Sequence, residues 1–411
     1  MPDDNIRRGV FRSVKPWAYG SIGWGNAMSE ESFDKLRNLL RSVGPAQALD
    51  VLIEQFRKAK QYPDWFEARM MRSRLALGLP LIQAPGTSEI PAEARAAYEQ
   101  AMVEAARETG DLFLADGNIP RAWPYLRATG DSARVAEAME RVEVGEDVDA
   151  VIGIALQEGV NPVRGFALIL QKYGMCRALT AFGMYGGEKD RERCIDFLAR
   201  NLHDELVERI ASAIQREESA KPEATSIPAL IAGRDWLFGE YSTYVDTSHL
   251  MSLLQYCVEV TDTGTLELFH EFCEYGKRLS SNFQMAGQPP FEDFYFDVDH
   301  YALALAGVEV ESHLDHFRRK VREAPLGNVN SQALVKLLVS RGSYQEALEV
   351  AMEHFPAASS SELACPTAIQ LCQLADRFDL LMQLARKQGD ELSYLAASLE
   401  LDRKTKAGGA A

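Results

Sequence analysis

The chain has 411 residues, of which 46% are hydrophobic, and its net charge is −16 because 60 acidic residues oppose 44 basic ones. This length exceeds one ordinary core and predicts two or three domains or an elongated repeat array, while the hydrophobic fraction excludes disorder across the whole chain. The negative charge disfavours a nucleic-acid partner, because an acidic surface repels phosphates.

The N-terminus has the character of neither a signal peptide nor a membrane span. Acidic residues appear at Asp3 and Asp4, and no apolar core follows them. No stretch approaches the ~18 consecutive apolar residues of a transmembrane helix. Six cysteines occur without a C-x-x-C pair, which indicates reduced thiols and no cysteine-based zinc site. We therefore expect a cytoplasmic protein with no membrane partner.

The chain begins irregularly and then becomes helical. Residues 1–28 mix glycines and aromatic residues without a clean period, which predicts an extended N-terminal arm. From Ser29 onward, "SEESFDKLRNLLRSV" places Phe33, Leu36 and Leu40 on one helical face. Short segments of the same period follow, separated by glycines or by Asn, Asp and Pro caps.

The helical period continues to the C-terminal region without a convincing strand, because the β-branched runs are short and do not alternate. Roughly twenty helices without a sheet predict an all-α fold of stacked antiparallel helix hairpins. The predicted segments are the arm at 1–28, an N-terminal array of helical hairpins at 29–220, a histidine- and aromatic-rich helical segment at 221–325, C-terminal hairpins at 326–402 and a disordered tail at 403–411.

One predicted hairpin, "GDLFLADGNIPRAWPYL", has regularly spaced small and aromatic residues. Gly110 and Phe113 lie on its first helix, Gly117 in its turn and Ala122 on its second helix. Small side chains allow two antiparallel helices to approach closely, and an aromatic ring fills the remaining groove. The spacing therefore predicts a tightly packed helix pair.

A second hairpin, "VKLLVSRGSYQEALEVA", repeats the spacing with Leu338, Gly342 and Ala347, although Val335 occupies the first small position. The two hairpins resemble the tetratricopeptide repeat, with degenerate repeats and no clean 34-residue period. The resemblance implies a tetratricopeptide-like α-solenoid whose concave surface binds a protein or peptide. The alternative interpretation of the same pattern is a generic helical bundle.

Histidines concentrate in one part of the chain. Five of the seven lie between positions 249 and 316: His249, His270, His300, His313 and His316. This segment is also rich in tyrosine, phenylalanine and acidic residues, so any reactive site is expected there first.

Three incomplete metal-ligand motifs occur among these histidines. Glu267 stands one helical turn before His270, Asp297 stands one turn before His300, and His313 stands one turn before His316. In the metal interpretation, Glu267, His270, His313 and His316 ligate a divalent ion. In the alternative interpretation, His313 and His316 lie on a solvated helix face and His270 caps or lines a core.

The stretch "EYSTYVDTSHL" at 240–250 combines several polar side chains. Because apolar periodicity starts at Leu250, we expect Asp246, Thr247 or Ser248 to cap the N-terminus of the next helix. That explanation leaves the clustered tyrosines and the histidine unexplained. The candidate ligand-binding residues are Tyr241, Tyr244, Asp246, His249, Asp299 and His300.

Taken together, the sequence predicts a cytoplasmic helical-repeat protein that acts as a scaffold for another protein or a peptide, without a cofactor. The alternative is a metal-dependent enzyme or small-ligand-binding protein with its pocket in 233–320 and with a divalent metal ion as cofactor.

Overall fold

The computed structural model describes residues 30–82, 90–145, 147–284, 286–323 and 328–408. The described residues form twenty α-helices and two short 3-10 segments, with no strand among them. The all-α fold class is therefore confirmed, whereas the predicted arm at 1–28 lies outside the described residues. In the part of the chain that is described, no helix is long and apolar enough to cross a bilayer.

The chain divides into two compact units, at 1–168 and 169–411. The helices that begin in the first unit are α1 (Glu30–Val43), α2 (Pro45–Lys58), α3 (Tyr62–Ala76), α4 (Ala92–Ala115), α5 (Ile119–Ala128), α6 (Ser132–Glu140), α7 (Val148–Gln157) and α8 (Pro162–Tyr173), which continues past the boundary.

Within the first unit, each helix from α1 to α5 packs against the next one along the chain, and α5 also packs against α7. The main core of the unit lies where α4 to α7 meet, and it includes Phe113, Leu126, Val135 and Met139. These side chains are almost fully buried, so their removal from water stabilises the unit.

The contact between α4 and α5 depends on a glycine. A Cβ atom on Gly110 would lie 2.4 Å from Cγ of Leu126, so only the absence of a side chain permits this approach. The turn between the helices contains Gly117 with φ +74°, in the left-handed region that favours glycine. Ala122 on α5 is also fully buried. The small residues of this hairpin therefore have the packing role predicted from their spacing.

The helices of the second unit after α8 are α9 (Met175–Gly183), α10 (Arg191–Glu218), α11 (Ile227–Ile231), α12 (Thr247–Leu254), α13 (Thr263–Arg278), α14 (Phe294–Ala306), α15 (Val310–Glu323), α16 (Val329–Ser340), α17 (Tyr344–His354), α18 (Ala368–Leu374), α19 (Phe378–Gln388) and α20 (Glu391–Gly408). The 3-10 segments are Asp235–Phe238 and Gln255–Glu259.

From α13 to α20, each helix packs against its successor, and α13 also packs against α10 and α11. The hairpin of α16 and α17 buries Val335, Leu338 and Ala347 completely. Its turn contains Gly342 with φ +73°. Val335 is thus accommodated at the position where a smaller residue was expected.

The C-terminal end of the described chain is helical where the sequence predicts a disordered tail at 403–411. Helix α20 extends to Gly408, and residues 409–411 lie outside the described residues. The side chain of Lys404 reaches Asp376 at 3.0 Å and lies over the ring of Phe378. These long-range contacts favour the additional helical turns, which the charged and glycine-rich composition did not predict.

Replacement of Gly110 by alanine tests the close approach, because alanine in place of glycine usually stabilises a helix but should destabilise this one. Gly110→Ala is expected to lower the free energy of unfolding by about 2 kcal/mol, because the new methyl group meets the fully buried Leu126. Gly153→Ala, inside α7, is the matched control: its Cβ would have no neighbour within 4 Å. It should raise the free energy of unfolding by roughly 0.5–1 kcal/mol through helix propensity. Urea denaturation measures both, and equal effects would contradict the close contact.

Candidate functional site

The candidate site is a polar cluster on α13, α14 and α15. Helix α13 starts at Asp262, whose carboxylate accepts a hydrogen bond from the backbone N–H of Thr265 at 2.8 Å, a normal N-cap. Helix α14 ends at Gly307, which has φ +85°. Between these helices a Cβ atom on Gly276 would lie 2.3 Å from the ring of Tyr295. The glycine therefore lets α13 and α14 approach closely enough for their polar side chains to meet.

On one side of α14, Asp299 binds two side chains of α13. One carboxylate oxygen lies 2.6 Å from Nδ1 of His270, and the other accepts a hydrogen bond from Nζ of Lys277 at 2.5 Å. Lys277 also donates to Glu274 at 2.9 Å. The buried carboxylate of Asp299 is therefore compensated by an imidazole and an ammonium group.

These contacts shift the pKa values of Asp299 and His270. Burial alone would raise the pKa of Asp299, but hydrogen bonds from His270 and Lys277 hold that pKa below its usual value. The hydrogen bond to Asp299 raises the pKa of His270, against the opposing effect of burial. Asp299 is consequently a carboxylate at neutral pH.

On the other side of α14, Asp297 makes equivalent contacts with α15. Its two oxygens lie 2.7 Å from Nε2 of His316 and 2.6 Å from Nζ of Lys320. It also accepts a hydrogen bond from the backbone N–H of Asp293 at 2.9 Å, and Lys320 binds Glu292 as well. Burial opposes the charged form of Asp297, but the hydrogen bonds from His316 and Lys320 lower its pKa.

The third element of the cluster is a group of three imidazoles. Nδ1 of His300 lies 2.7 Å from Nδ1 of His313, and the rings of His300 and His316 stack with centroids 4.2 Å apart. Burial lowers the pKa of His300 to about 4, and the charges of His316 and His313 act in the same direction. Burial also lowers the pKa of His313. The paired His300 and His313 are therefore neutral at pH 7, one donating and the other accepting.

The structure brings together several of the predicted metal-ligating residues, though in new combinations. Asp297 pairs with His316 on the next helix and not with His300 on its own helix. Glu267 is exposed on α13, one turn from His270. The interpretation that placed His313 and His316 on a solvated face is wrong, because they are only 8% and 9% exposed.

The residues of "EYSTYVDTSHL" lie at the beginning of α12. Asp246 is the N-cap, and its carboxylate accepts a hydrogen bond from the backbone N–H of Ser248 at 2.9 Å, which confirms the predicted cap. Tyr241 is exposed, and the backbone N–H of Tyr244 donates to the hydroxyl of Tyr275 at 3.0 Å. The Nε2 atom of His249 is buried without a hydrogen-bond partner among the described residues. In the part of the chain that the structure describes, Tyr244 therefore contacts α13 through Tyr275, but no hydrogen bond or ion pair joins these four residues to the charged and histidine side chains of the cluster.

Sequence reasoning missed Glu274, Lys277, Lys320 and Glu292 as members of the cluster. Glu274 carries a usable signal, because it stands four residues after His270 and therefore on the same helical face. The two lysines carry no such signal. A lysine is usually solvated, and its pairing with a buried aspartate is visible only when the helices are packed.

The side of the cluster at Asp299 could hold a cation. Ligand atoms of His270, Glu274 and Asp299 lie within 4.8 Å of one another, and no other such group of three occurs in the described residues. One imidazole and two carboxylates are ligands that divalent transition metals accept. An imidazole oriented by a carboxylate can also bind or release a proton near neutral pH.

No protein-family model matches the chain, and comparisons with curated proteins and with solved structures likewise find no match.

Replacement of Asp297 tests whether the polar cluster stabilises the unit. Asp297→Asn removes the carboxylate of a residue that is 1% exposed, leaves His316 without its charged partner and leaves Lys320 with Glu292 alone. We expect the free energy of unfolding to fall by about 3 kcal/mol, as for other broken buried pairs.

The matched control is Asp315→Asn on the same helix as His316. The carboxylate of Asp315 is 72% exposed and pairs with Arg318, so its loss should cost less than about 1 kcal/mol. Urea denaturation measures both variants. A loss at Asp297 no larger than that at Asp315 would contradict a stabilising role for the cluster.

Proposed function

We propose that this chain is a tetratricopeptide-like helical-repeat protein that binds another protein or a peptide. The packing of successive helices supports the repeat architecture, because α1 to α6 and α13 to α20 are two runs in which neighbouring helices are in contact. Nearest-neighbour packing of this kind characterises helical-repeat proteins. Repeat proteins commonly bind partners along an exposed helix face, so the exposed surface of these helices is the place to seek a binding site.

The observation that carries the proposal is an apolar stripe on α20. Leu392, Leu395 and Leu399 are 80%, 57% and 60% exposed, and their spacing places them on one helical face. On another face of the same helix, Ala397 is 1% exposed, and α20 packs against α19. The leucine stripe thus faces away from the core of its own unit, as a docking surface for a partner helix would.

The net charge of the chain indicates the kind of partner. Helix α20 carries Glu391, Glu400 and Asp402, followed by Arg403, Lys404 and Lys406 at its C-terminal end. Arg403 pairs with Glu400 at 3.0 Å, so the charges of the helix itself nearly balance. The whole chain has a net charge of −16, so a second acidic copy is repelled at long range. The same overall charge attracts a basic amphipathic helix, with apolar residues to cover the leucines and lysines or arginines at its edges.

A designed peptide tests this proposal directly. The probe is a fluorescent helix of about five turns with leucines at i, i+3 and i+7 and lysines at the edges. The full chain should bind it, and Leu392→Gln/Leu395→Gln/Leu399→Gln should weaken binding by about a hundredfold, since burial of each leucine contributes about 1 kcal/mol. Fluorescence anisotropy measures the affinity, and glutamine preserves helix propensity.

Two controls test whether binding depends on the leucines of the stripe and on the lysines of the peptide. Met184→Gln removes an isolated side chain that is 83% exposed and should leave binding unchanged. A peptide with glutamates in place of the lysines should bind far more weakly at low salt. Equal binding of the two peptides, unchanged affinity of the leucine variant, or dimerisation through the stripe in sedimentation equilibrium would each overturn the proposal.

A further inference from the structure

The part of the polar cluster at Asp299 combines three possible metal ligands from two helices. His270 and Glu274 are four residues apart on α13, and therefore on one face, while Asp299 approaches from α14. Their ligand atoms lie within 4.8 Å of one another. Three protein ligands with a remaining position for water is the arrangement of an open zinc site.

Lys277 contacts the same carboxylates that a bound cation would contact. Its ammonium group binds Asp299 at 2.5 Å and Glu274 at 2.9 Å, so it contacts both carboxylates of the candidate ligand set. One ammonium supplies a single positive charge to two carboxylates, whereas a divalent ion would balance both. The side chain of Lys277 is 28% exposed, and its flexible stem lets the ammonium move into water.

The neighbouring imidazoles are less available for the same role. His300 and His313 bind each other through their Nδ1 atoms, and Nε2 of His316 binds Asp297. His270 also binds a carboxylate, at 2.6 Å, but that carboxylate belongs to its fellow candidate ligand Asp299, and the side chain of His270 is 35% exposed. The positions of the ligands are also constrained by packing, because Gly276 holds α13 against the ring of Tyr295 on α14.

We propose that His270, Glu274 and Asp299 bind a divalent transition-metal ion such as Zn²⁺, and that the ammonium group of Lys277 competes with the metal for the two carboxylates. Metal binding then releases Lys277 from Asp299 and Glu274 into solvent. The lysine acts as an internal cation that lowers the metal affinity of the site and stabilises the helix pair when no metal is bound.

The competition predicts opposite effects for two neighbouring substitutions. The full chain, purified without a histidine tag and stripped with a chelator, is titrated with Co²⁺ by visible absorption and with Zn²⁺ by calorimetry. The wild-type chain should bind one equivalent at this site. Lys277→Met should bind at least about tenfold more tightly, and His270→Ala at least about tenfold more weakly.

His354→Ala removes an imidazole at the end of α17, outside the polar cluster, and should leave the affinity unchanged. Circular dichroism and the melting temperature of each metal-free variant identify any loss of binding that results from unfolding. If His270→Ala fails to fold, Glu274→Gln replaces it, because Glu274 is the most exposed of the three ligands, at 38% for its side chain.

Three results would overturn the proposal. The first is that neither the wild-type chain nor Lys277→Met binds Co²⁺ or Zn²⁺. The second is that folded His270→Ala or Glu274→Gln binds metal as tightly as the wild-type chain. The third is that Lys277→Met binds no more tightly than the wild-type chain, which would show that the lysine does not compete with the metal.

Discussion

The strongest constraint on the packing of the second unit is the burial of two carboxylates on one helix, α14. Transfer of an ionised carboxylate into a protein interior costs several kcal/mol unless its neighbours supply compensating charge and hydrogen bonds. Asp297 and Asp299 are two residues apart on α14, so they point roughly 200° apart around the helix axis. One of them must therefore be satisfied by α13 and the other by α15.

The same two residue types compensate the buried carboxylates on both sides of α14. Asp299 binds a histidine and a lysine of α13, and Asp297 binds a histidine and a lysine of α15. Apolar contacts tolerate small shifts of one helix along another, because dispersion and desolvation depend weakly on direction. Charged hydrogen bonds do not tolerate such shifts. The two groups of contacts consequently select one register for three adjacent helices.

Close packing is what brings these polar groups into contact. The glycine at 276 allows the backbone of α13 to approach the ring of Tyr295, and the glycine at 110 has the same role against Leu126 in the first unit. In the first unit the neighbours at the close approach are apolar, and the result is a core. In the second unit polar side chains flank the close approach, and the result is a charged cluster in which Lys277 is more exposed than Lys320.

The two proposed activities belong to different kinds of surface. The cluster of α13 to α15 satisfies its buried charges with its own side chains, so a ligand must displace one of those partners. The leucines of α20 are exposed to water, so a partner would gain free energy by covering them without displacing any contact. Competition therefore determines binding at the cluster, whereas shape and charge complementarity determine binding at α20.

Local signals in the sequence were sufficient for the helices and for several of their boundaries. The 3.6-residue period of apolar side chains predicted an all-α fold, and the polar residues before Leu250 predicted the cap that Asp246 provides. Gly117 and Gly342 occupy the turns that their spacing indicated. Each of these features depends on residues within a few positions of one another, and their physical causes act within a single turn or helix.

Only the tertiary structure determined the partners and the burial of the charged residues. Asp297 and His316 are nineteen residues apart, and His270 and Asp299 are twenty-nine residues apart. Helix α20 continues to Gly408 with support from a contact between Lys404 and Asp376. The sequence by itself determined which segments are helical and where the histidines concentrate. Which side chains meet depends on how the helices pack against one another. This packing joins residues that are far apart in the sequence, and local helix propensity does not determine it.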